Sequence, residues 1–458
     1  MTTIAAIATA AGQAGIGVIR ISGPQAIAVA GRIFRLIRCA DPSANKLEQL
    51  PGYQAAYGRV YDSDGEFDSA VAVVFRGPHS FTGEDVVEIS CHGGRYLLNR
   101  CLAAAVAAGA VPAEAGEFTK RAFLGGKLDL AEAEAVMDLI SAENRLVSRQ
   151  ALTVLDGVVS SRLNGCKEWL LEIAAAYAAF VDYSDEDVPE PENGPIRLLL
   201  QRTLLEIVAL TTTFQSNLLF RQGIDTAIIG SPNVGKSTLM NLLSGFPRSI
   251  VTDRPGTTRD VVEQTVLVGD LLLRLADTAG IRDTADEVEH IGVSLARERM
   301  QSAALVLAVF DGSRPADDND LKLIDELADC PAVAVVNKTD RPLEFSLSLL
   351  PDRLPYVLFS AKTGEGMDAL SDAICCICNI SLPSAENIPA LITQRQYAAA
   401  LRCQTALEDA LSALDSGLAL DAVMTACDEA MAAILELTGE RVTEAVVDEV
   451  FARFCVGK

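Results

Sequence analysis

Apolar and polar positions change their rhythm twice along the chain. Through residues 1–119 short apolar runs alternate with turns. Ile16-Gly17-Val18-Ile19-Arg20-Ile21 reads as a strand, Gln25 to Leu36 as an amphipathic helix, and Val71–Phe75 and Val86–Ile89 as further strands. A polar loop, Pro78 to Asp85, separates the last two, and Cys91-His92-Gly93-Gly94 opens a helix. This pattern predicts a small α+β domain. Residues 120–222 carry long helical periods rich in Ala, Leu and Glu, with one obvious interruption, the acidic, proline-bearing Asp182–Pro195. Across 223–380 strands and helices alternate as in a doubly wound α/β domain, and 381–458 returns to helix. The expected fold class is α/β plus α, with the α/β domain inserted into a helical domain built from both flanks. Two separate helical domains are the alternative.

Composition narrows the classes. With 458 residues, half of them hydrophobic and 22% charged, the chain is long enough for several globular domains. No apolar run reaches membrane-spanning length, and Met1–Ala6 lacks the basic region of a signal peptide. Eleven cysteines without a secretory signal predict reduced thiols in a cytoplasmic protein. The net charge of −24 argues against a general nucleic-acid binder, because phosphate contacts need Lys and Arg. If RNA is involved, a local basic patch or a basic partner must hold it.

The candidate chemistry starts at Gly230–Ser237, GSPNVGKS, which fits G-x-x-x-x-G-K-[ST] between a strand-like Thr226–Ile229 and a helical Thr238–Leu243. Glycines let backbone N–H groups surround a phosphate at a helix N-terminus. Lys236 can meet the β- and γ-phosphates, and Ser237 can ligand Mg²⁺. Gly256-Thr257-Thr258-Arg259-Asp260 offers a threonine hydroxyl for the same metal. In Asp277-Thr278-Ala279-Gly280, the aspartate can hold the metal through water and the glycine can sense the γ-phosphate. Asn337-Lys338-Thr339-Asp340 follows a strand, and Asp340 can accept from guanine N1–H and its 2-amino group, which adenine cannot match. Ser360-Ala361-Lys362 backs the base. These segments in this order predict GTP.

Two details bear on hydrolysis. The residue after Gly280 is Ile281, which cannot orient a water as the glutamine of Ras-like switches does. Asp283, Asp286, Glu287 and Glu289 in the loop ending at His290 are the candidates. Asn233 offers a carbonyl where a monovalent cation can bridge the phosphates, against simple loop hydrogen bonding as the other reading.

Beyond the GTPase motifs, GVIRISG at 17–23, PHSFTGEDVVEISCHGG at 78–94, GEFTKRAFLGGKLDLAEAEAVMDLI at 116–140 and Phe454-Cys455-Val456-Gly457-Lys458 resemble the MnmE (TrmE) family of tRNA-modifying GTPases over the whole length. The resemblance implies an N-terminal folate-binding and dimerisation domain at 1–119. It further implies a helical domain from 120–222 and 381–458, and an inserted Ras-like G domain at 223–380. Family folate contacts fall on Arg20, Glu88, Lys127 and Lys458, for 5,10-methylene- or 5-formyl-tetrahydrofolate. Nucleotide contacts fall on Asn233, Val234, Gly235, Lys236, Ser237 and Thr238 of the phosphate loop, and on Thr252, Asp253, Arg254, Pro255, Gly256, Thr257 and Thr258 of the next segment. The remaining ones are Asp277, Thr278, Ala279, Gly280, Asn337, Lys338, Asp340, Ser360, Ala361 and Lys362.

K⁺ dependence in the family makes Asn233, Thr252, Arg254 and Thr257 the implied potassium ligands, Ser237 and Thr258 the magnesium ligands, and Glu289 the catalytic residue that positions water. The implied partners are a second copy, tRNA, and the FAD-carrying flavoprotein MnmG (GidA) in a heterotetramer or larger complex. The implied product is a carboxymethylaminomethyl or aminomethyl group at C5 of the wobble uridine. A regulatory G protein of ribosome assembly is the alternative function. Val456 replaces the family's usual isoleucine, a conservative change, and Cys455 is functionally important without its chemistry following from position. Cys375-Cys376-Ile377-Cys378 reads as helix packing, and His79, His92 and His290 show no ligand spacing.

Overall fold

The computed structural model describes residues 2–37, 47–182, 191–245, 263–276, 300, 303–378, 380 and 391–458. The chain divides into two compact units: Met1–Met137 with Val154–Ile207 and Ile392–Lys458, and Asp138–Thr153 with Val208–Leu391.

The first unit is built on strands β1 (Ile4–Ile7), β2 (Ile16–Ser22), β3 (Phe34–Leu36), β4 (Gln54–Asp62), β5 (Gly65–Phe75), β6 (Val86–His92) and β7 (Val111–Pro112). They lie in the order β3-β4-β5-β6-β2-β1-β7, antiparallel except for the parallel β1–β7 edge. Alternate positions such as Ile19, Ile21, Val87 and Ile89 are fully buried, in one core with the helices Ala26–Ile33 and Arg95–Ala107. The intervening positions, among them Val18, Arg20, Val71 and Glu88, stay half-buried or exposed, as a sheet packed on one face requires.

The expected helix from Gln25 to Leu36 is shorter, ending at Ile33. Phe34 turns extended, and Phe34–Leu36 pairs with Gly58–Val60 as an edge strand that seats the Phe34 ring in the core. Sheet pairing and burial override the helical period here. Cys91 and His92 likewise end β6, and the helix begins only at Arg95.

The helical stretch after residue 116 breaks more often than its periodicity suggests. Helices run over Glu117–Leu124, Leu130–Ser141, Arg145–Leu155, Val158–Asp182 and Asn193–Gln222. The breaks fall at Gly125-Gly126, residues 142–144 and Asp156-Gly157, short turns that a long apolar period conceals. In the second flank Gln394–Asp415 packs against Leu420–Thr438, and Glu444–Ala452 follows. Glu134 joins the flanks: its buried carboxylate takes Arg395 at 2.8 Å and Gln396 Nε2 at 2.6 Å. Both flanks therefore contribute to one body, as expected.

The second unit holds β8 (Ile224–Ile229), β9 (Glu263–Val268), β10 (Leu271–Ala276), β11 (Leu305–Asp311), β12 (Ala332–Asn337) and β13 (Tyr356–Leu358). The order is β13-β12-β11-β8-β10-β9, parallel except for β9. β11 and β12 are buried at every position, which fits a sheet covered on both faces. β8 pairs with both β10 and β11, so its C-terminal end opens at the point where a doubly wound sheet places its ligand. No helix among the described residues is long and apolar enough to cross a membrane.

Candidate functional site

The phosphate loop leaves β8 and enters the helix Lys236–Gly245. Gly235 takes φ +104°, and a Cβ there would collide with the Asn337 side-chain amide, so only glycine closes this turn. Asn233 adopts φ +63°, a left-handed backbone that asparagine tolerates better than most residues. The Lys236 ammonium donates to the Gly230 and Ser231 carbonyls at 2.7 and 2.9 Å, and burial lowers its pKa. Val234 is buried, while Ser237 and Thr238 are exposed on the first helical turn, where unpaired N–H groups favour an anion.

The residues expected to read the base converge on this loop. Asn337 Nδ2 donates to the Val234 carbonyl at 2.9 Å, and its oxygen accepts the Ala361 amide at 2.9 Å. Lys338 Nζ donates to the Asn233 carbonyl at 2.8 Å and to Asp311 at 2.6 Å. Ser360 Oγ donates to Asp340 Oδ1 at 3.1 Å, fixing an exposed carboxylate from a buried hydroxyl. Lys362 lies exposed beyond Ala361. This arrangement presents one carboxylate with a set direction beside a phosphate cradle, as guanine recognition needs.

Two carboxylates that sequence reasoning missed hold this site. Asp311, ending β11, is buried, which raises its pKa, but the Lys338 ammonium and Ser313 outweigh this and lower it. Asp320 accepts Ser231 Oγ at 2.9 Å from a fully buried position. The only local signal for either is an aspartate at a strand end or in a helix first turn. Thr252, Asp253, Arg254, Pro255, Gly256, Thr257, Thr258, Asp277, Thr278, Ala279, Gly280, Ile281, Asp283, Asp286, Glu287, Glu289 and His290 lie outside the described residues.

The first unit gathers a second constellation. Arg20 on β2 faces Glu88 on β6 in register, with Nε 2.8 Å from the Glu88 carboxylate. Its guanidinium lies over the Phe81 and Phe118 rings, 5.7 and 5.6 Å from their centroids, and reaches the Gly457 carbonyl at 3.4 Å. The terminal segment is held by backbone: Ala115 bridges Val456, Gly116 N donates to the Cys455 carbonyl, and Phe118 N donates to the Lys458 carbonyl at 3.1 Å. Burial, then the Arg20 charge, lowers the Lys458 pKa, opposed by Glu88 and Cys455. Arg20, Glu88 and Lys458 thus share one site. Lys127 is exposed, and its stem runs beside Gly83 in the loop that supplies Phe81. The flanking Phe81 and Phe118 escaped the sequence reading because they follow from no motif spacing. Cys455 is exposed, and no group of His, Cys, Asp and Glu among the described residues could hold a metal ion, the Cys375–Cys378 run included.

Comparison with known proteins covers the whole chain. Residues 3–127 match the family described as the N-terminus of the GTP-binding protein TrmE, and residues 130–455 match the MnmE helical domain. Proteins named tRNA modification GTPase MnmE are similar throughout. That of Symbiobacterium thermophilum is 41% identical over 100% of this chain and 99% of its own. That of Geobacter sulfurreducens is 39% identical and that of Geobacillus kaustophilus 38%, each over 100% of this chain and 99% of the relative.

Proposed function

The chain belongs to the MnmE family of tRNA modification GTPases, and we propose that it is a potassium-activated member that works with the flavoprotein MnmG. Together they add a carboxymethylaminomethyl or aminomethyl group to C5 of the wobble uridine, position 34, of certain tRNAs, using a tetrahydrofolate one-carbon unit. The observation that carries the reading is the joint presence of the two constellations, the guanine site of the second unit and the Arg20–Glu88–Lys458 group of the first.

In the second unit Lys236 and the amides of Val234 to Thr238 hold the phosphates, Asp340 reads guanine, and Ser360 aims Asp340. Ser237 stands exposed at the helix start, which fits a magnesium ligand, with Thr258 as its companion. Magnesium would neutralise charge on the β- and γ-phosphates. Asn233, with Thr252, Arg254 and Thr257, holds potassium, and Glu289 orients the attacking water. GTP turnover drives conformational cycling and supplies no transferred atom.

In the first unit Arg20, Lys127 and Lys458 offer cations for a folate's carboxylates, and Glu88 offers an acceptor for paired ring donors. The residues fit: two cations and a carboxylate lie together, part-exposed, beside two aromatic rings. A folate of the 5,10-methylene or 5-formyl class would supply the one-carbon unit there. The same sheet face exposes Tyr57 and Val71, paired across β4 and β5, which supports a second copy as the partner that covers it. With a charge of −24, the chain leaves much of the tRNA surface to the FAD-bearing MnmG, and the complex works in the cytoplasm. Mass spectrometry of tRNA nucleosides from a deletion strain tests the reading. Loss of the C5 group at wobble uridine is expected, and an unchanged nucleoside profile would sink it.

A further inference from the structure

We propose that Asp320 is a positioning residue for the phosphate loop, acting through Ser231; the proposal rests on the GTP-site reading above. Ser231 is the second residue of the loop, and its hydroxyl donates to Asp320 Oδ1 at 2.9 Å in a buried contact. The Asp320 side chain is only 1% exposed. A carboxylate at that depth is costly unless each lone pair is engaged. The structure engages them: the other oxygen takes Arg314 Nη2 at 2.9 Å and the Asp317 amide at 3.2 Å. Asp317 and Asp320 also cap each other reciprocally at the start of the helix Asp318–Glu326.

Capping alone does not call for this burial, since a half-exposed side chain at the third helical position closes the same box. What the burial adds is the bond to Ser231, 89 residues away. That bond has a consequence for the lysine. Lys236 donates to the Gly230 and Ser231 carbonyls, so fixing Ser231 fixes the anchor from which the ammonium is aimed. From the same segment, Asp311 holds Lys338, which donates to the Asn233 carbonyl. The turn at Pro232 is thereby tethered on both sides to residues 311–320. Its shape is set by protein contacts before any phosphate arrives.

Ser231→Ala, Asp320→Ala and the double variant of the full chain test this, through the dissociation rate of a fluorescent GDP analogue followed by stopped flow. Each single change is expected to speed release about tenfold, the scale of one hydrogen bond to a charged group. The double variant should release no faster than Asp320→Ala alone, because both changes cut the same bond. Asp317→Ala weakens the cap without touching Ser231, and should lower the thermal midpoint while leaving the release rate unchanged. Unchanged rates in both single variants, additive rates in the double, or fast release from Asp317→Ala would each overturn the proposal. Wild-type protein that fails to prefer GDP over ADP would overturn the site reading itself, and shows before any substitution is made.

Discussion

Asn337 ties the Val234 carbonyl to the loop proposed to back the base: its amide donates to that carbonyl at 2.9 Å, from a side chain that also accepts the Ala361 amide. The residue is 2% exposed, so all three segments depend on one buried group. Asn337→Ala leaves two buried backbone groups unpaired, each costing about 1–3 kcal/mol. Guanine nucleotide affinity should fall at least about tenfold, with a lower thermal midpoint. Calorimetric titration with GDP checks this, and affinity equal to wild type would remove Asn337 from the tie.

Gly457 makes a separable prediction for the first unit. It sits at φ +98°, and a Cβ would collide with the Ile7 carbonyl, so Gly457→Ala must displace the terminal segment. The Gly457 carbonyl then leaves Arg20, and Lys458 leaves the environment of Glu88. Fluorescence titration with 5-formyl-tetrahydrofolate should show affinity reduced about tenfold or more, while GTP hydrolysis stays at the wild-type rate. Full folate affinity in this variant would detach Lys458 from the site.

What the sequence made legible follows from how far each constraint reaches. The phosphate loop announces itself because backbone amides around a phosphate demand glycines and a lysine at fixed spacing within a few residues. Asn337, Lys338 and Asp340 are legible for the same reason. Asp311 and Asp320 are silent, since their partners lie 27 and 89 residues away and nothing local marks the pairing. Arg20 and Glu88 look like surface residues of separate strands until the register of β2 and β6 sets them opposite each other. Only the resemblance brought them forward. The strand β3 was hidden because Gln25 to Leu36 keeps a helical period, and only pairing with β4 shows where it fails.

Stability of the first unit should depend on pH through His92. Its Nδ1 lies 2.6 Å from buried Asp68, whose hydrogen bond, followed by its charge, raises the His92 pKa above 6.5. A raised folded-state value means the pair's contribution is fully present below pH 6.5 and is lost as pH rises through the folded value. His92→Gln removes that term. The wild-type thermal midpoint should therefore decline toward alkaline pH more steeply than the variant's, across about pH 6 to 8. Parallel melting profiles for the two proteins would refute the assignment.

The potassium reading of Asn233 can be separated from its backbone role. At φ +63° alanine would add strain of about 1–2 kcal/mol, so Asn233→Ala alone confounds a lost ligand with a distorted loop. Glycine adopts that backbone freely, so this change removes the side-chain carboxamide without straining the turn. Asn233→Gly should therefore keep GDP affinity near wild type while abolishing the faster hydrolysis in K⁺ relative to Na⁺. Glu289→Ala should instead lower hydrolysis about a hundredfold or more in both salts, with nucleotide binding retained, as loss of a water-positioning group demands. Steady-state phosphate release in each salt checks both variants. If Asn233→Gly keeps the wild-type preference for K⁺, the cation does not bind through this side chain. The loop asparagine would then serve only the turn, whose carbonyl Lys338 already holds.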